Sequence, residues 1–544
     1  MGSEIARPPK AARLVVSFVT ISALFIFCSG HPAAAATPPH AKWTPAGAEA
    51  GFNGEVSTKW CGALIADLDG DGWDDLILNN HDKTPLRLYW NNRRGDGASE
   101  QPSTLFQRAP DPLGFLIDAH GQTAGDIFLT GTAATLVMQG GANGDELATP
   151  RLLRSYGGNR RRLEQAQRAT GLEGDSGGRG RSPLLVDLDG DGDLDLITLN
   201  YEKTPQPGPR QRVYENVGGK FKRRHGTGLE EAGVEYAVLT DLDNDGRMDV
   251  VAFPFFRLYR ATGSFAFADV TDEWMRQVPG GATAGRNTWA AAELDANNDG
   301  KWDLFLARNS QPDVLLLNTG SSFMSAPLPP TSTHHGDVTV GDFNNDGAMD
   351  IFLSSTASAT TPRLRRDVLL SGNGRGGFSL APAAAHGVAV RTAAGGDSVQ
   401  AFDADRDGRL DLLIGSGGQV AALGPPGGWD LFMNTIPLPE QGGGHWLAVS
   451  VGRSVGRSAA ASGATLRLTV VTCGGDDPNG CPRRTLYRRV GGAGGRGSTD
   501  CLRVVHFGLG TADRVVELVV RWSDGSVVVR RDVPIDSLYS VTAA

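Results

Sequence analysis

Six nine-residue segments concentrate carboxylates at a spacing that suits a hard divalent cation. Asp67, Asp69, Asp71 and Asp75 stand at positions 1, 3, 5 and 9 of the first, Asp187, Asp189, Asp191 and Asp195 of the second, and Asp241, Asp243, Asp245 and Asp249 of the third. Asn replaces the second acid in the fourth (Asp295, Asn297, Asp299, Asp303) and the fifth (Asp342, Asn344, Asp346, Asp350), while the sixth is Asp403, Asp405, Asp407 and Asp411. Calcium takes six to eight oxygen ligands. Position 7 of each segment can add a backbone carbonyl, from Trp73, Asp193, Arg247, Lys301, Ala348 and Arg409. Gly at position 6 permits the turn that wraps the ligands round one centre, because it accepts positive φ without penalty.

Two other readings of these loops fail. An EF-hand begins similarly but needs a bidentate Glu at position 12 and flanking helices; here position 12 is Leu78, Thr198, Ala252, Leu306, Leu353 and Ile414. An ordinary Asp/Gly turn needs one or two such residues, whereas these loops crowd several acids that repel one another unless a cation joins them. Magnesium is disfavoured because it keeps several waters and relies on substrate phosphates. Calcium is the expected ion, in a structural role.

The first residues of the loops are 120, 54, 54, 47 and 61 positions apart. The long gap predicts a decayed copy, and residues 124–138 supply it: Asp126 and Gly131 remain, the other acids do not. Seven units result. Each loop lies between short apolar runs such as Leu76-Ile77-Leu78, and units end on Leu88-Tyr89-Trp90-Asn91, Val213-Tyr214-Glu215-Asn216 and Leu315-Leu316-Leu317-Asn318. A unit of this length suits four short strands, and seven such blades close a propeller. The expected fold is all-β: a seven-bladed β-propeller over 37–436, a linker over 437–444 (Pro437 to Gly444), and a small β-sandwich over 445–544. Its strands are read at 445–451, 464–471, 486–490, 502–507, 515–522 and 527–530.

Residues 1–36 read as a secretory signal: Arg7, Lys10 and Arg13 precede an apolar run from Leu14 to Cys28, and Ala33 to Ala36 offer small residues for cleavage. An uncleaved anchor is the alternative, although the run falls short of the roughly 20 residues of a membrane span. Cleavage would leave Cys61, Cys473, Cys481 and Cys501, with Cys473–Cys481 the favoured disulfide across a Gly-rich loop. The formal charge of −9 becomes about −11 without the leader. The six loops hold 22 carboxylates at positions 1, 3, 5 and 9, so six calcium ions would bring the total to about +1. Acidity of that kind excludes nucleic acid as a partner.

The Asp loops resemble FG-GAP (VCBS-type) repeats of integrin-α-like propellers. Val504-Val505-His506-Phe507-Gly508-Leu509-Gly510, the run Val516 to Gly525 and Ser462-Gly463-Ala464-Thr465-Leu466 resemble the ASPIC/UnbV domain. The combination is similar to the cartilage acidic protein family. That resemblance implies a secreted, extracellular calcium-binding protein acting as a matrix or cell-surface adhesion module for a protein or glycan ligand. Vertebrate members add an EGF-like module that four cysteines cannot build. No nucleophile elbow, zinc-helix motif or isolated carboxylate pair is visible, so no enzyme is expected; a secreted hydrolase or lyase on glycans or lipids is the alternative, and a structural spacer a third reading. Arg94-Gly95-Asp96 reads as a Gly-rich turn, with an integrin-recognition tripeptide the alternative; His445 and His506 read as packed or turn residues, and Arg160-Arg161-Arg162 as a solvated loop.

Overall fold

Strands buried on both faces read as mostly apolar runs, and those that flank the Asp loops do. Gly62–Ala66 and Asp75–Asn79 are buried at every position, as are Asp195–Asn200 and Asp303–Arg308. Each loop joins two such strands as a hairpin in one fixed register. The residue before position 1 faces position 9: Ala66 pairs with Asp75, Val186 with Asp195, Thr240 with Asp249, Leu294 with Asp303, Gly341 with Asp350 and Phe402 with Asp411.

The computed structural model describes residues 40–541 apart from 53–54, 58–61, 80, 82–83, 93–102, 141–148, 157–160, 167–169, 173–179, 201–210, 231–233, 332–333, 356–365, 383–384, 389–396, 418–426, 455–460, 474–480, 492–494 and 496–502. The signal, Cys61, Cys501, Arg160 and Arg94-Gly95-Asp96 lie outside them. The chain is all-β. Among the described residues, seven antiparallel sheets of four or five strands follow one another between residues 43 and 434. Their first strands are Gly62–Ala66, Ala119–Gly125, Gly180–Val186, Tyr236–Thr240, Thr288–Leu294, His335–Gly341 and Ser398–Phe402. Each of these packs beside the next, and the last packs beside the first. No described helix is long and apolar enough to cross a membrane.

The last sheet is completed from the other end of the chain. Trp43–Pro45 pairs with Gly427–Asn434, Trp43 opposite Asn434. The indole is buried, donates from Nε1 to Leu410 O at 3.0 Å, and meets Phe343 and Phe352 edge-on at 5.3 and 5.6 Å. Neighbouring sheets are also stitched by asparagines at the ends of third strands. Asn216 Nδ2 donates to Ile127 O at 2.9 Å, Asn318 Nδ2 to Leu242 O at 2.8 Å, Asn434 Nδ2 to Phe343 O at 2.9 Å and Asn91 Nδ2 to Ala404 O at 3.2 Å. Each acceptor is position 2 of the preceding sheet's loop, so these four bonds lock four of the joints between neighbouring sheets.

Beyond residue 444 the described strands form two further sheets around one apolar core containing Leu447, Val449, Leu468, Phe507, Val515 and Val520. A strand at Ser537–Val541, absent from the sequence reading, runs parallel to His445–Val451. Cys473 and Cys481 are disulfide-bonded, as their loop predicted.

Candidate metal centres

The loop backbone turns twice through positive φ. Position 6 is Gly in every copy, at φ 93° in Gly72 and 83° in Gly408. Position 4 needs the same region and is Gly70, Gly190, Asn244, Asn298, Asn345 or Arg406, the last at φ 60°. The Asn/Gly preference at position 4 stood in the sequence and was not read.

The acids divide into two jobs. Position 1 folds the turn: Asp241 accepts the Asp245 N–H at 3.0 Å and the Gly246 N–H at 3.0 Å, and Asp403 does the same for Asp407 and Gly408 at 3.1 and 2.9 Å. Position 9 clamps the blade. Asp75 accepts from Leu68 at 3.0 Å and Asn91 at 2.9 Å; Asp195 from Leu188 and Asn216, both at 2.8 Å; Asp411 from Ala404 at 3.0 Å and Asn434 at 2.7 Å. Asp249, Asp303 and Asp350 repeat the pattern. All six position-9 side chains are buried.

In four loops three carboxylates converge with their oxygens within 4.8 Å of one another: Asp67, Asp69 and Asp71; Asp187, Asp189 and Asp195; Asp241, Asp243 and Asp249; Asp403, Asp405 and Asp411. The fourth and fifth loops, with Asn297 and Asn344 at position 3, form no such acid triad among the described residues. Oδ1 of Asp243 and of Asp405, both position 3, is buried without a hydrogen-bond partner. A hard cation is the group that donor set fits, since it satisfies such oxygens and cancels their repulsion. Burial is the main force on these acids: it pushes Asp249 up to about 7 and Asp195 and Asp303 up to about 8, against the paired N–H bonds that favour their anions, and neighbouring carboxylates add to it.

Side-chain cations also reach the loops. At position 7, Lys301 Nζ lies 2.8 Å from Asp299 Oδ2, and Arg247 and Arg409 pair with Asp245 and Asp407 in the same way. Arg161, expected in a solvated loop, docks instead on the first site, Nε 3.0 Å from Asp69 Oδ2 and Nη2 3.2 Å from Asp71 Oδ2. Its strand neighbour Arg162 is exposed and pairs with Glu164. In the decayed copy Asp126 still accepts two N–H groups, from Thr130 at 2.7 Å and Gly131 at 2.8 Å, and position 9 is Ala134, opposite Gly125. The lone carboxylate there meets Arg453 Nε at 2.9 Å. A guanidinium neutralises the copy that lost its acids.

Arg453 belongs to the segment that follows the propeller sheets, which covers the loop face widely. Ser523 Oγ donates to Asp187 Oδ2 at 2.8 Å, Arg484 Nη1 to Asp346 O at 2.6 Å, and His506 Nε2 to Gly408 O at 3.1 Å. A Cβ at Gly408 would sit 2.0 Å from the Trp446 ring, and one at Gly508 2.1 Å from Asp342 Oδ2. Close backbone approach therefore requires glycine on both sides of this face, and positive φ requires it a second time at Gly408. Trp446 is buried in this contact and His506 half-buried, both as packed residues.

Sheets of four or five strands strung in sequence, six of them carrying an Asp-rich hairpin loop, define a β-propeller. Residues 187–252 and 295–353 match the FG-GAP-like repeat, and residues 456–544 match ASPIC and UnbV. No curated protein matches it. Among solved structures, an Agrocybe aegerita lectin that recognises non-reducing terminal N-acetylglucosamine is 18% identical, with 60% of this chain and 80% of that one covered at a TM-score of 0.42. The V. cholerae biofilm matrix protein Bap1 is 13% identical, over 88% and 76%, at 0.32. YCF48 from Cyanidioschyzon merolae is 12% identical, over 73% and 99%, at 0.37.

Proposed function

We propose that the protein is a secreted calcium-binding module of the extracellular space, a seven-bladed propeller capped by a two-sheet sandwich, which binds a protein or glycan rather than catalysing a reaction. The observation that carries this reading is the convergence of three carboxylates in each of four loops, with the position-3 oxygens of Asp243 and Asp405 buried and unpartnered. Calcium in those loops would tie position 3 to the backbone clamp at position 9 and stiffen each blade from its hairpin end. Seven successive sheets, packed first against last and closed by Trp43–Pro45, support the seven-bladed count. The sandwich covers much of the loop face, which leaves the opposite face and the blade rims to meet a ligand.

Calorimetric titration with calcium, paired with thermal unfolding before and after chelation, tests the reading. At least four ions and a large fall in melting temperature on chelation are expected. A protein that takes up no calcium and melts unchanged in chelator overturns it.

A further inference from the structure

A second donor set lies at the opposite end of the strands from the Asp loops, and it has different chemistry. Asp75–Asn79 runs away from the first loop, and His81 follows two residues beyond its end. Ala119–Gly125 runs toward the decayed loop, and Asp118 and His120 stand at its start. A strand rise of about 3.3 Å per residue puts the two ends roughly 15–20 Å apart. Asp118 and His120, two positions apart on an extended segment, project to the same side. The partner segment is held in place by a backbone bridge, with Thr84 N donating to Ile117 O at 3.0 Å and Ile117 N to Thr84 O at 2.9 Å.

One donor atom from each of His81, Asp118 and His120 lies within 4.8 Å of the other two. The imidazole rings meet edge-on, centroids 4.8 Å apart and planes at 81°. His120 is only 6% exposed, and its Nε2 is buried without a hydrogen-bond partner; Asp118 Oδ1 stands off at 3.5 Å. That distance is long for a hydrogen bond. It matches the edge of a tetrahedron of ligands about 2.1 Å from a central ion, which is about 3.4 Å. The cation whose charge reaches His120 is Arg181, and its guanidinium faces Glu235 at 3.9 Å.

We propose that His81, Asp118 and His120 form a site for a borderline transition-metal ion of the zinc class. Two imidazoles and a carboxylate select zinc-like ions over calcium, which prefers an all-oxygen shell. Three protein ligands leave a fourth position for water or a donor from a bound partner. The side chain of Asp118, 13% exposed, gives the site its contact with solvent. The site is independent of the calcium reading, because it shares no residue with the Asp loops.

The test uses the full chain saturated with calcium, titrated with zinc alone, and separately loaded with cobalt(II) for its visible spectrum. One zinc ion per chain should bind in excess calcium, with intense four- or five-coordinate cobalt bands. His81→Gln and His120→Gln should each weaken zinc binding by roughly 100-fold, a loss of the size expected when a metal shell is broken, while the shift in melting temperature caused by calcium stays as in the parent. A parent protein without the cobalt bands, or zinc binding unchanged in both variants, overturns the proposal.

Discussion

Arg489 Nε donates to Glu293 Oε1 at 2.9 Å, with both side chains almost wholly buried. Glu293 is the penultimate residue of a first strand of the propeller, just before the fourth Asp loop, and Arg489 ends a strand of the C-terminal domain. The same guanidinium reaches Leu239 O at 2.6 Å, in the preceding sheet. One arginine thus joins the C-terminal domain to two consecutive blades. A buried charge pair adds little over an apolar pair, but losing one partner strands the other charge at a cost of about 3–5 kcal/mol.

Arg489→Met should therefore destabilise the protein by about 3–5 kcal/mol in denaturant unfolding. Adding Glu293→Gln should recover much of the loss. Equal stabilities for the single and double variants would show that the two groups are not coupled.

Positions 3 and 9 should respond in opposite ways to chelator. Asp405→Asn removes a carboxylate whose Oδ1 has no partner, so the metal-free protein should melt no lower than the parent. In calcium at about tenfold above the dissociation constant it should lose about 1.4 kcal/mol, the contribution of one bound ion.

Asp411→Ala should lower the melting temperature with and without calcium alike. Its two oxygens accept the N–H groups of Ala404 and Asn434, and each buried donor left unpaired costs about 1–3 kcal/mol. A variant that is destabilised only in calcium would show that position 9 acts chiefly as a ligand.

Metal-free stability should fall as pH rises. Burial holds Asp195 and Asp303 near 8 and Asp249 near 7 in the folded chain, against about 4 for an unfolded aspartate. The folded form binds these protons more tightly, so their contribution is complete below pH 4 and is lost as pH climbs through 7 to 8. On the proposed calcium reading the ion would take the place of the protons, so melting temperature against pH should slope downward in chelator and flatten or reverse in calcium.

Much of this was legible in the sequence because it is local. The hairpin loops, the decayed copy at Asp126 and the Cys473–Cys481 bridge depend on residues within ten positions of one another. What escaped depends on distance along the chain. Nothing near Arg161 announces that it will rest on Asp69 and Asp71, or near Arg453 that it will meet Asp126. The asparagines Asn91, Asn216 and Asn318 were visible as blade ends, yet their acceptors lie 76 to 313 residues away. Ser537–Val541 was missed because its burial pattern is weak, mostly half-buried, and its partner is a parallel strand far upstream.

The pairing of Trp43–Pro45 with Gly427–Asn434 has a consequence for synthesis. The ribosome delivers these three residues first and their partners about 390 residues later, a wait of roughly 20–80 s at about 5–20 residues per second. Until then the nascent chain holds an unburied indole at one end and an open strand edge at the other. The ring becomes a closed object only when nearly all of it has been made, so a chain truncated before Asn434 keeps both liabilities exposed, however well its first six sheets have folded.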